Sequence, residues 1–147
     1  MKYKYSVFIS YRRAGCEGKF IKNFKEILER EASAATDISQ VFFDEDSISW
    51  GKEFDEKIYE GIVSSCFFIP VYQYKYLSEE KIWCALELYH ALEVEKRIRE
   101  EVGRNFCFIL PVIHRGGTKD LPKCINRKNA KYMTKRQTHP LRIFFAG

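Results

Sequence analysis

Trp83 and Glu87 stand four residues apart in the run Trp83-Cys84-Ala85-Leu86-Glu87. If the segment is helical, positions i and i+4 share one face, so an indole and a carboxylate line the same pocket. The ring can stack on a flat heterocycle while the carboxylate stabilises positive charge that develops beside it. That combination suits a site that cleaves a nucleotide. The same spacing also suits an ordinary helix with Trp83 in the core and Glu87 in water, and short motifs alone do not separate the two.

Other chemistries find less support in the residue types. Cys16, Cys66, Cys84, Cys107 and Cys124 are odd in number, widely spaced and form no C-x-x-C. They read as reduced, mostly packed thiols rather than a disulfide frame or a zinc site. The three histidines, His90, His114 and His139, are equally scattered, so no metal centre is expected and no local Cys–His nucleophile pair exists.

The elements that must hold Trp83 and Glu87 can be read from periodicity. Tyr5 to Ser10 is a short β-rich run and reads as a buried first strand. A loop with Arg12, Arg13 and Gly15 leads to a helical pattern from about Glu17 to Ser33, where Phe20, Phe24, Ile27 and Leu28 form one apolar stripe. Val41-Phe42-Phe43 is a second strand, followed by the polar loop from Asp44 to Gly51. Phe54, Ile58 and Ile62 mark the next helix, and Ser65 to Val71 is a nearly all-apolar third strand, as expected where both sheet faces are covered. A tyrosine-rich connector reaches Ser78, a predicted N-cap, and the third helix runs to near Gly103. Asn105 to Ile113 is predicted as the fourth strand. Alternation of this kind specifies a parallel α/β sheet with helices on both faces, and such sheets bind ligands beyond the carboxyl ends of their strands. The loops after Ser10, Phe43 and Val71 are therefore the predicted functional edge.

The 147 residues make one domain by length, with a composition of 46% hydrophobic and 31% charged residues that is ordinary for a globular protein. No run of eighteen apolar residues and no signal-peptide core is present, so the expectation is a cytoplasmic protein with no membrane span. Charge is uneven: residues 115–147 hold nine Lys/Arg against one acidic residue. Such a tail suits nucleic acid, anionic lipid, a neighbouring acidic surface or the approach to a further domain. Without a nucleic-acid-binding motif, nucleic acid is an unlikely partner. Ala130 to Met133 reads as a short fifth strand. The apolar run Leu141 to Phe145 ends without a completed helix, so 136–147 is either the start of a further domain or an incomplete closing helix.

Three ordered boxes carry a family resemblance. Tyr5-Ser6-Val7-Phe8-Ile9-Ser10-Tyr11-Arg12-Arg13 resembles the first box of the Toll/interleukin-1 receptor (TIR) domain family. Phe42-Phe43-Asp44, with Gly51 and Phe54 downstream, resembles its second strand and BB loop. Ile69-Pro70-Val71 through Trp83-Cys84-Ala85-Leu86-Glu87-Leu88 resembles the segment with the W-C-x-x-E-L box. The boxes span roughly residues 4–113, and the TIR domain is placed at 1–135. The aromatic pair that forms a third box in animal adaptors has only Phe144-Phe145 as a poor match.

The resemblance implies a flavodoxin-like three-layer sandwich with a central parallel sheet. It divides function between assembly modules and members that cleave NAD+ at the nicotinamide–ribose bond, and in the latter the glutamate of W-x-x-x-E is catalytic. That position is Glu87. A lone carboxylate fits this chemistry: nicotinamide leaves without protonation, and what needs stabilising is an oxocarbenium-like ribose. The expectation is an NAD+ glycohydrolase, with ADP-ribose cyclisation as a possible second outcome, activated by self-association in an immune or cell-death system. NAD+ is substrate, and no cofactor is required.

Trp83 would stack on a base, a contact that adds about 1 kcal/mol beyond area burial. Arg12 or Arg13 would contact pyrophosphate or ribose; Ser10 and Ser49 join them as substrate-facing candidates. Asp44, Ile48, Trp50 and Gly51 belong to the loop that, in the family, gates the pocket and packs on the next protomer. Expected partners are other TIR domains, as a homo-oligomer or filament, and a regulatory or sensor domain, fused or separate. The alternatives are a non-enzymatic TIR scaffold acting through loop contacts and a nucleoside N-glycosyl transferase using Glu87.

Overall fold

Packing follows the alternation of side chains along β1, Tyr5–Ser10. Val7 and Ile9 point to one face of the sheet, where they meet Ile21, Phe20, Phe24 and Leu28 of α1, Glu17–Ala35. Phe8 points to the other face, against Ile58 and Ile62 of α2, Lys52–Val63, and Leu88, Ala91 and Val94 of α3, Trp83–Val102. The period of two in the strand thus assigns one helix to one layer and two helices to the opposite layer. This is the predicted three-layer α/β sandwich. The structure is a computed structural model that describes residues 3–12, 17–38, 40–43, 52–73, 76 and 83–114.

Four parallel strands lie in the order β2-β1-β3-β4, with β2 at Val41–Phe43, β3 at Ser65–Tyr72 and β4 at Val112–Ile113. Registers are Phe8 opposite both Phe42 and Phe68, and Val71 opposite Val112. The Phe8 ring stacks on Phe42 at 4.9 Å and on Phe68 at 5.4 Å, which ties the three strands together through one side chain. Gly61 of α2 lets the helix sit on this stack: a Cβ there would lie 3.2 Å from the Phe8 ring and 3.3 Å from Phe42.

The predicted strand from Asn105 to Ile113 is shorter in the structure, and Glu95 explains why. Its carboxylate is fully buried and accepts the amides of Phe108 and Ile109 at 3.1 and 3.0 Å. Those amides face α3, leaving one bridge, Phe68 to Ile109, before β4 proper. Pro111 has no N–H to offer the ladder. Arg99, one turn further on, sits 3.7 Å from the same carboxylate and donates its Nε to the Phe106 carbonyl at 2.9 Å. The helix then stops at Gly103, whose φ of 113° is a conformation L side chains rarely adopt.

Ser78, the 130–133 run and the 136–147 segment lie outside the described residues, as does the Phe54 side chain. Glu95→Ala is expected to cost about 2–4 kcal/mol, because it leaves two buried amides without an acceptor. Glu95→Gln keeps an acceptor oxygen and should cost less. Urea unfolding of the two variants measures the difference.

Candidate functional site

Strand order fixes where a ligand fits. The chain leaves β1 for β2 on one side, then crosses back to β3 on the other. Connections therefore diverge at the β1/β3 boundary, the place where sheets of this kind bind ligands, beyond the carboxyl ends of the strands. Ser10 ends β1 and Tyr72 ends β3. The connection after β3 delivers α3, whose first turns start at this same edge and whose later turns run back along the sheet.

Within α3 the buried stripe comprises Cys84, Glu87, Leu88, Ala91, Val94 and Glu95. Glu87 thus occupies a core-facing position in the second helical turn, with only 5% of its surface exposed. This is the opposite of a solvated helix glutamate. Acidic residues are seldom that buried unless the fold or the function requires it. Trp83 begins the helix, but its side chain lies outside the described residues, so the i, i+4 relation is established for the backbone alone.

Ser10 is fully buried, and its hydroxyl lies 2.6 Å from the Tyr76 hydroxyl. That hydrogen bond ties the connection after β3 to the end of β1. It places Ser10 beneath the rim rather than on it. Tyr76 also packs near Tyr72, with ring centroids 6.2 Å apart. Arg12, two residues past β1, is half-buried, and its Nε is buried without a hydrogen-bond partner. A buried donor left open is uncommon in folded proteins, and a guanidinium is a natural anion ligand.

Ser10 ends β1, Arg12 follows it by two residues, and Glu87 lies in the second turn of the helix that follows β3. Arg13, Ser49, Asp44, Ile48, Trp50 and Gly51 lie outside the described residues. Two participants escaped sequence reasoning. Tyr76 was one tyrosine among several in a connector, and nothing local marked it as the partner of Ser10. Glu95 was legible in principle, since it falls eight residues after Glu87 on the same helical face. Among the described residues, no group of three or more His, Cys, Asp or Glu is placed to hold a metal, and no helix is long and apolar enough to cross a membrane.

Comparison with known proteins follows the same lines. A family model described as the TIR domain matches residues 7–141. Among solved structures, the chain is similar to the TIR domains of the activated Roq1 resistosome directly recognising the pathogen effector XopQ. The identity is 20% and the TM-score 0.59, over 91% of this chain and 76% of that one. A search of curated proteins gives no match.

The Ser10–Tyr76 bond should show in a double-mutant cycle. Ser10→Ala and Tyr76→Phe are expected to couple by about 1 kcal/mol in urea unfolding. Strict additivity would mean that the bond does not hold the connection to β1.

Proposed function

The chain belongs to the TIR domain family, and on that premise we propose that it cleaves the nicotinamide–ribose bond of NAD+ with Glu87 as the catalytic carboxylate. The observation that supports this most is the burial of Glu87 in the second turn of α3, the helix that follows β3. A glutamate there would meet a ligand from the protein side, with little water between.

The chemistry asks little of the protein. The bond between ribose C1′ and the pyridinium nitrogen breaks, and its electron pair neutralises the ring. The ribose is left as an oxocarbenium-like cation, which a carboxylate beneath it stabilises. Water then adds to C1′ and loses a proton to Glu87 or to solvent. A charge pair at 4 Å is worth about 1 kcal/mol in water and about 4 kcal/mol near a protein surface. The difference of about 3 kcal/mol corresponds to roughly a hundredfold in rate.

Arg12 would bind the pyrophosphate through its open Nε, and Arg13, Ser49 and Trp83 would complete the substrate contacts. Ser10 would act indirectly, by holding Tyr76 and the rim in place. Self-association through the loop around Asp44, Ile48, Trp50 and Gly51 is part of the same proposal. Membership of the TIR family and the likeness to TIR domains of an assembled resistosome support it, together with a role in immune signalling.

Nicotinamide release from NAD+ by concentrated protein tests the reading. Glu87→Gln is expected to lower turnover about a hundredfold or more while leaving the thermal melt near wild type. Equal turnover in both proteins would remove Glu87 from catalysis. No release by crowded wild-type protein would leave the assembly module as the function.

A further inference from the structure

A hollow of about 260 Å³ opens at the amino end of β1, beside the last turn of α2. Small residues border it on the helix side: Gly61 has no side chain, and Ser64 lies one residue past the end of α2. Backbone bonds fix the frame. The Ser64 carbonyl accepts the amides of Lys4 at 2.9 Å and Tyr5 at 3.1 Å, and the Ser64 amide donates to the Glu60 carbonyl at 2.9 Å. The Ser65 hydroxyl donates to the Gly61 carbonyl at 2.7 Å. Helix end and strand start are thus bonded to each other, and the hollow is part of the fold.

Two kinds of chemistry line it. The Tyr5 and Phe42 rings meet edge to face, with centroids 5.1 Å apart and 69° between their planes. Phe42 is anchored by its stack on Phe8 at 4.9 Å. Both lining rings are half-buried, so part of each is left open to a ligand. Lys4 and Lys57 bring two ammonium groups and Glu60 one carboxylate, all on exposed residues. Among the described residues, none of these three side chains is committed to an ion pair.

Size narrows the occupant. Pockets for drug-sized ligands run from roughly 300 to 1,000 Å³, so this one has room for a single ring and short substituents. Charge narrows it further, since two cations against one carboxylate favour an anion.

We propose that the hollow is a binding site for a small aromatic acid, one ring that carries a carboxylate and a hydrogen-bond donor. The ring rests against Tyr5 and Phe42, whose quadrupoles favour edge-to-face or offset contact. Lys4 and Lys57 draw the carboxylate as point charges, and Glu60 accepts the donor. The site lies at the opposite end of β1 from Ser10 and does not depend on the NAD+-cleaving reading.

The probe is para-hydroxybenzoate, titrated at low salt into the isotope-labelled chain with amide chemical shifts as the readout. Saturable shifts should centre on the amides of Lys4, Tyr5, Gly61 and Ser64. Lys4→Ala and Lys57→Ala should each weaken binding roughly threefold, and together about tenfold, because exposed charge pairs contribute little individually. Lys57→Arg keeps the charge and should bind as wild type does. Phenol, which lacks the anion, and acetate, which lacks the ring, should each bind roughly tenfold more weakly than the acid. Shifts centred elsewhere, or unchanged affinity in the paired lysine variant, would overturn the proposal. So would phenol or acetate binding as tightly as the acid, or no saturable shift in the wild-type chain.

Discussion

A carboxylate withdrawn from water must be compensated by hydrogen bonds or charge, and α3 withdraws two on a single stripe. For Glu95 the compensation is two backbone amides and a guanidinium, and the result is architectural. The clamp ends the helix-facing side of the 108–109 segment and sets how far β4 extends. It also fixes the helix along its axis. Eight residues separate the two carboxylates on α3, so the contact that holds Glu95 also sets where Glu87 falls along the helix axis. One buried ionic contact therefore positions the residue on which the proposed chemistry rests.

The sheet supplies the second half of that placement. Phe8 stacks on Phe42 and Phe68 and holds β1 between its neighbours, while Gly61 allows α2 to approach the stack. With β1 central, the crossover from β2 to β3 makes the β1/β3 boundary the point where the connections diverge, and Ser10 ends β1 at that boundary. The Ser10–Tyr76 bond ties the connection after β3 to the end of β1. Fold and site share their side chains: Ser10 and Glu87 both sit on the core face of their elements.

Much of this was legible in the sequence. The β-rich run Tyr5–Ser10 and the nearly all-apolar run of β3 carried the strand assignments, because a buried parallel strand can tolerate little else. The bounds of β1 and β2 match the reading from periodicity. The fourth strand did not, and the reason is tertiary: an apolar run cannot reveal that two of its amides are taken by a glutamate ten or more residues upstream. Tyr76 was hidden for a similar reason. Its partner is 66 residues away, and no local pattern marks a hydroxyl pair across a sheet edge. Glu87 was different, since the family boxes named it before the fold showed that it faces inward.

The central claim is that a buried carboxylate at this edge stabilises a ribosyl cation as the nicotinamide bond breaks. The secondary isotope effect on nicotinamide release from NAD+ labelled with deuterium at the ribose C1′ tests it most directly. Cleavage through an oxocarbenium-like state loosens that C–H bond, so the light substrate should react clearly faster. An isotope effect indistinguishable from unity, under conditions where bond cleavage limits the rate, would contradict the account.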